Sequence, residues 1–266
     1  METVTSADGT RIAFWREGSG PPLLLVHGGA CDHLAWYYVL PMLARKFTVY
    51  TYDRRGRGGS GNTLPYSVER EVEDLVAMLA AIGEPAHLLG HSAGAMLALM
   101  AAERAPDLLS LMLYEPAFLI EGARERPGPE TLEKMQSLLA AGDRDEVIRI
   151  AIRQTVEFSE DDIAAMETGP GWEQLRSVAH AIPQDWMLWE QPFVAERVST
   201  VKTRTLVLLG SQSPAWLQLA AQAVLAALPS ATLELLQGQQ HHAIITAPEM
   251  FAQAVMNFVF GQGSAA

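Results

Sequence analysis

Leu88-Leu89-Gly90-His91-Ser92-Ala93-Gly94-Ala95 reads as a strand that stops at a sharp turn and restarts as a helix. The turn has the form G-x-S-x-G, and a serine at its apex is held with its hydroxyl above the end of the strand. The flanking glycines let strand and helix pass where a Cβ would collide. Upstream, His87-Leu88-Leu89 belongs to the strand. Downstream, Ala95 to Ala102 is rich in good helix formers, and Pro106 closes the helix.

Outward from the turn the same rhythm repeats. Leu23-Leu24-Leu25-Val26 is a continuous apolar run, as expected for a strand buried on both faces of a parallel sheet. Leu108 to Tyr114 is another apolar strand, and Phe47 to Tyr52 and Thr205 to Leu209 are further strands. Thr232 to Leu236 is a further strand, and Val4 and Ile12-Ala13-Phe14-Trp15 make a hairpin around Asp8-Gly9. Helices are expected from Trp36 to Ala44, Pro214 to Leu228 and Pro248 to Phe260. Another runs from its N-cap Ser67 to Ile82, with Glu69 and Glu71 favourable in the first turn and Gly83 as the stop. This alternation implies an α/β fold with a doubly wound, mostly parallel sheet, in which ligands bind at the carboxyl ends of the strands. His27, Asp53, Ser92 and Glu115 each follow a strand directly and should share one rim.

From Ala117 to Thr200 the pattern turns helical. Pro127-Gly128-Pro129, Gly142-Asp143 and Gly169-Pro170-Gly171 punctuate it, and Ser159-Glu160-Asp161-Asp162 resembles a capping box. The chain therefore divides into a core, residues 1–116 and 201–266, and an inserted helical cap, residues 117–200, with Gly261 to Ala266 as a small-residue tail.

The 266 residues, 49% of them hydrophobic, suffice for one large α/β domain with an insertion. A formal net charge of −12 argues against nucleic acid and anionic membranes as partners. Cys31 is the single cysteine, which rules out an intrachain disulfide and suits a reducing cytoplasm. Met1-Glu2-Thr3-Val4-Thr5 has neither the basic nor the apolar region of a signal peptide, and no apolar run is long enough to span a bilayer. No Cys/His cluster has metal-binding spacing, and no metal is expected.

His27-Gly28-Gly29, Asp53-x-Arg55-Gly56-x-Gly58-x-Ser60, Gly90-x-Ser92-x-Gly94 and Gly238-x-x-His241 occur in this order. With them the chain resembles an α/β-hydrolase with a helical cap. The resemblance covers residues 10–116 and 203–260, and the cap carries no motif of its own. It implies that Ser92 is a nucleophile whose proton passes to a histidine base. Of the seven histidines, it places the base after the last strand, where His241 fits the G-x-x-H spacing and His242 is the alternative. It makes His27 an orienter of the oxyanion loop and the Asp53-Arg54-Arg55-Gly56-Arg57 stretch a structural turn rather than an anion site. His180, in the cap, is placed to hydrogen-bond a substrate or to face solvent.

Most relatives carry the third member, an acid, after the strand that follows the cap. Here that stretch is Leu209-Gly210-Ser211-Gln212-Ser213-Pro214, and no Asp or Glu occurs between Glu196 and Glu234. Glu115 is the alternative, at the tip of the strand after the elbow helix, and the fungal zearalenone lactonases are similar in having Glu at that place. An oxyanion hole takes two backbone N–H groups, here from Ala93, after the nucleophile, and from Gly29. Within the cap, Met135, Met166, Trp172 and Met187 pack a core or line a pocket, and Trp186 or Trp189 is expected to face the ligand.

The chain thus reads as a cofactor-independent serine hydrolase of a carboxylic ester or lactone. Its expected partner is a small, uncharged, hydrophobic substrate, its compartment the cytoplasm, and a homodimer is the assembly left open. The same fold serves C–C bond hydrolysis, lyase and perhydrolase chemistry and non-catalytic binding proteins, which are the competing readings. Haloalkane dehalogenation is disfavoured, because Ser92 stands where that chemistry needs aspartate.

Overall fold

The computed structural model describes residues 1–105, 107–124, 128–155, 160–169 and 171–261. Pro106, Pro127, Ser159, Pro170 and the tail after Gly261, to which the sequence assigns helix breaks, a cap and a coil, lie outside the described residues. Among the described residues eight strands form one sheet: β1 (Glu2–Thr5), β2 (Arg11–Gly18), β3 (Pro22–Val26), β4 (Thr48–Tyr52), β5 (His87–His91), β6 (Ser110–Tyr114), β7 (Thr205–Gly210) and β8 (Ala231–Leu236). Their order is β1-β2-β4-β3-β5-β6-β7-β8. β2 runs antiparallel to β1 and β4, and the remaining pairs are parallel.

The apolar runs are continuous because the sheet is covered on both faces. Leu24, Val26, Leu88, Leu111 and Val207 join one core cluster with the helices Val68–Ile82, Ala93–Ala102 and Ala215–Ala227. Their neighbours Leu23, Leu25, Leu89, Met112 and Leu208 join a second cluster with Trp36 and the helix Pro248–Phe260. That division by alternate residues is the two-residue period of a strand. The helix Val68–Ile82 begins at Ser67, whose hydroxyl accepts from the Arg70 N–H, and ends at Gly83 in the left-handed region.

The helix expected from Trp36 to Ala44 is corrected. The segment is a 3₁₀ turn, His33–Trp36, capped by Asp32, followed by one helical turn, Leu40–Leu43. Pro41 has no N–H to bond backward, so it starts the second piece and cannot sit inside one longer helix. Between β6 and β7 the described residues form helices and no strand: Pro129–Ala140, Arg144–Thr155, Glu160–Glu167, Gly171–Val178, Ile182–Trp189 and Ala195–Val198, with a 3₁₀ turn at Ala179–Ala181. Met135, Val147, Ile148 and Trp172 from this segment join the first cluster, so its packing is continuous with that of the sheet. No helix among the described residues is long and apolar enough to cross a membrane.

At the elbow, a Cβ on Gly90 would lie 2.4 Å from Gly94 O, and one on Gly94 would lie 2.2 Å from Val26 O. Both neighbours are backbone and cannot rotate aside. Gly94→Ala should therefore cost more than about 3 kcal/mol in a denaturant melt. Gly83→Ala, with open space around it and φ +77°, should cost only the left-handed penalty of about 1–2 kcal/mol.

Candidate active site

Ser92 directly follows β5 at φ 56° and ψ −120°, and its N–H donates to Tyr114 O at 2.9 Å. A non-glycine residue held at positive φ costs about 1–3 kcal/mol. Among the described residues three are so held, Ala30, Ser92 and Glu115, and all three lie on one rim. Register explains why: His91 on β5 pairs with Tyr114 on β6, and Tyr114 with Leu208 on β7, so the strand ends are level.

The structure brings Glu115 and His241 together. The buried Glu115 carboxylate places Oε2 2.6 Å from His241 Nδ1. Its Oε1 accepts from the Gly210 N–H at 2.8 Å and from the Ser213 hydroxyl. The stretch after β7, which has no carboxylate, thus supplies donors to one. With Nδ1 on Glu115, Nε2 is the ring nitrogen left for the cavity that His241 and Ser92 both line. Two further contacts hold this loop. The Tyr114 hydroxyl donates to Gln240 O and accepts from the Ala243 N–H at 2.9 Å, and His91 Nε2 donates to His241 O at 2.9 Å. Burial, then the neighbouring His241 and His242, keeps the His91 pKa well below its ordinary value, so that ring is neutral.

The loop after β3 is fixed from beneath. His27 Nδ1 donates to Gly28 O at 2.9 Å, and its Nε2 accepts from the Arg54 N–H at 3.1 Å. Burial, then Arg54 and Arg57, pushes the His27 pKa down to about 3. Arg54, Arg55 and Arg57 are fully buried, and each meets a carboxylate. Arg54 grips Glu71 with two hydrogen bonds of 2.7 and 2.8 Å, and Arg55 grips Asp74 with two of 2.7 Å. Asp185 accepts from Arg54 at 2.9 Å and from Arg57 at 2.6 Å. Glu71, which the sequence placed as a helix-terminal charge, is therefore also half of a buried ion pair.

Burial alone would raise the pKa values of Glu71 and Asp185, but the adjacent Arg54 and Arg57 outweigh it and hold both below the ordinary range. Asp74 moves the other way, raised by burial. For Glu71 and Asp185 the unfolded chain takes up protons first as the pH falls, so their contribution to stability is complete above about pH 5 and is lost progressively below about pH 4, as the pH falls through their lowered folded values. The melting temperature should accordingly hold between neutrality and about pH 5 and drop steeply in more acid buffer. A flat profile down to pH 3 would exclude the network as a source of stability.

A cavity of ≈ 490 Å³ lies over Ser92, with Gly29, Ala93 and His241 in its wall. The rest of the wall is mainly apolar: Ile148, Ile152 and Met166 from the helical segment, then Trp186, Trp189 and Trp216. Trp186 and Trp189 meet edge to face at 5.2 Å, and Trp216 is 6.1 Å beyond Trp189. His180 does not reach the cavity, which corrects its assignment as a substrate contact. It lies in the 3₁₀ turn Ala179–Ala181, exposed, and its Nε2 donates to Gly56 O at 2.7 Å. Cys31 does line the cavity, but burial, then Asp185 and Asp32, pushes its thiol up to about 12, so the thiolate nucleophile is disfavoured. Asp32, His33 and Asp53 are grouped closely enough to offer ligand atoms to one ion. Their oxygens already accept from the Leu34, His33 and Gly59 amides and the Gln174 side chain, which shape the turns.

A sequence profile described as "Alpha/beta hydrolase family" matches residues 23–254. The chain belongs to the alpha/beta hydrolase family. An alpha/beta hydrolase from Sphaerobacter thermophilus DSM 20745, solved by crystallography, superposes with a TM-score of 0.89 at 37% identity, covering 97% of this chain and 99% of that one. The uncharacterized hydrolase YraK of Bacillus subtilis (strain 168) is 35% identical over 152 residues, 54% of this chain and 55% of that protein. The N-formylmaleamate deformylase of Pseudomonas putida is 39% identical over 127 residues, 46% of this chain and 47% of that protein. The chain's matches thus span about half the length of these two relatives.

Three residues at the site of this alpha/beta hydrolase were missed in the sequence. Tyr114 reads there as one more apolar strand residue, and Trp216 as part of a helix. Asp185 drew no assignment from the sequence; the structure places it in the first turn of the helix Ile182–Trp189. The one available signal was a lone carboxylate amid Gln184-Asp185-Trp186-Met187-Leu188-Trp189, where apolar neighbours imply burial and burial requires a partner.

Proposed function

We propose that the protein is a cofactor-independent serine hydrolase of uncharged, hydrophobic carboxylic esters or lactones. The Glu115–His241 hydrogen bond of 2.6 Å, on the rim that carries Ser92, is the observation that carries this reading. His241, with Nδ1–H held by Glu115, takes the Ser92 proton at Nε2 as Oγ attacks the carbonyl, and gives it to the leaving alcohol. Glu115 fixes the tautomer and stabilises the imidazolium that forms. The Gly29 and Ala93 amides hold the oxyanion. Ala93 opens its helix, so its N–H has no acceptor within that helix. Water then cleaves the acyl-enzyme, with His241 again as base. The apolar cavity wall favours a hydrophobic substrate, and the residues of the helical segment form the cap over it.

p-Nitrophenyl esters of graded chain length, together with aromatic macrolactones, test the reading. Hydrolysis and stoichiometric labelling of Ser92 by a serine-directed phosphonate are expected, and the absence of both would exclude it. Trp186→Ala should raise KM for bulky esters more than for acetate. An equal change for both, with a lower melting temperature, would make Trp186 a packing residue alone.

A further inference from the structure

Asp185 stands on the helix Ile182–Trp189, yet its carboxylate ends at the loop after β3. Oδ2 accepts from the Ala30 N–H at 2.8 Å, while Oδ1 accepts from Arg54 and Arg57. Arg54 Nη1 also donates to Gly28 O at 3.2 Å, beside the His27 donor to the same oxygen. Those contacts fix the peptide on each side of Gly29. Among the described residues Leu64–Pro65 is the cis peptide, so the Gly28–Gly29 bond is trans. In a trans peptide the C=O and N–H point in opposite directions. Pinning Gly28 O onto His27 and Arg54 therefore turns the Gly29 N–H away from the arginines, and Gly29 lines the cavity. The following residue, Ala30, is held at φ 49°, a conformation that a non-glycine residue keeps only when its surroundings enforce it. The hydrogen bond from its N–H to a carboxylate is of the strong, charge-assisted kind.

We propose that Asp185 is a positioning residue for the oxyanion hole: through Ala30 N and Arg54 it holds the Gly28–Ala30 loop so that the Gly29 amide faces the reacting carbonyl. The proposal rests on the hydrolase reading of Ser92 and Gly29. It also makes the helical segment a structural part of the catalytic loop as well as a cover over the substrate. Loss of this helix's contact would free the Ala30 N–H and with it one of the constraints on the Gly29 amide.

Two variants test the role. Asp185→Asn removes the charge, and its amide NH₂ must face either Ala30 N–H or the guanidinium groups, donor against donor. Asp185→Leu combined with Arg57→Met removes the acceptor and one buried cation together, leaving Arg54 paired with Glu71. This keeps the core charge-balanced if the single variant fails to fold. Each is measured for kcat and KM on a p-nitrophenyl ester. Affinity is measured for an aryl boronic acid, which adds to the serine as a tetrahedral anion, and for the matching ether, which does not. The expected result is a fall in kcat of about 10- to 100-fold, below the roughly 10²–10³ that outright loss of an oxyanion donor costs. Boronic-acid affinity should fall in parallel, with KM and ether affinity within about twofold of the parent.

Unchanged kcat and boronic-acid affinity in a folded variant overturns the proposal. So does a loss shared equally by ether binding and melting temperature, which marks a scaffold role only. A parent protein that neither hydrolyses esters nor binds the boronic acid overturns the hydrolase reading first, and the proposal with it.

Discussion

Ser92→Ala should lower kcat by about 10⁵–10⁶-fold and leave the melting temperature close to that of the parent. A nucleophile, its base and its acid act as a unit, so removing the nucleophile abolishes the covalent route and leaves only the catalysis supplied by binding and the oxyanion amides. The fold has no reason to respond. The Ser92 backbone is positioned by its N–H to Tyr114 O, which alanine keeps, and alanine occupies the same positive φ at a similar cost. Steady-state kinetics with active-site titration measures the loss, since a trace of contaminating esterase sets the floor. Turnover within tenfold of the parent would eliminate Ser92 as the nucleophile.

Glu115→Gln should lower kcat by about 10³–10⁴-fold with little loss of stability. The surroundings fix how the new amide must lie. Gly210 N–H and the Ser213 hydroxyl both donate to Oε1, so the amide oxygen takes that place and the NH₂ faces His241 Nδ1. Nδ1 must then accept, which moves the ring proton to Nε2 and leaves no base for Ser92. The charge that would stabilise the imidazolium is lost as well. Because Ser213 Oγ already touches Glu115, adding Ser213→Asp to Glu115→Gln returns a carboxylate beside His241 from the stretch after β7, and part of the activity should return. A Glu115→Gln enzyme with nearly full kcat, its chemistry shown to be rate-limiting, would remove Glu115 from the mechanism.

The fold was legible because its signals are local. The buried strands are rich in apolar residues, several strand ends carry a distinctive turn, and Gly90 and Gly94 mark the close crossing of strand and helix. Positions past strand ends follow from that reading, which is how Ser92 and Glu115 fall on one rim without any knowledge of contacts. The Trp36–Ala44 segment went wrong for an equally local reason, since Pro41 was given too little weight against the helical composition around it. What stayed invisible was long-range. Asp185 meets Ala30 across 155 residues, and Tyr114 meets Gln240 across 126. No spacing rule connects an acidic residue in a helix with a loop that far upstream. His180 shows the converse, as a polar residue in the right segment whose turn points it at Gly56 O and away from the cavity.

Tyr114 and Glu115 are successive residues at the end of a central strand, and between them they hold both the Gln240–Ala243 backbone and the His241 ring. Glu115 and His241, the proposed acid and base, are thereby tethered to the end of a central strand of the sheet. The Gly28–Ala30 loop is tethered both by His27 and Arg54 at the strand ends and, through Asp185, by a helix outside the sheet. Displacement of that helix would remove one tether of the loop and none of the contacts that Tyr114 and Glu115 make with the Gln240–Ala243 stretch. In the mechanism proposed above, proton transfer would then rest on contacts at the end of the sheet, and the aim of the Gly29 amide in part on the seating of the helix that carries Asp185.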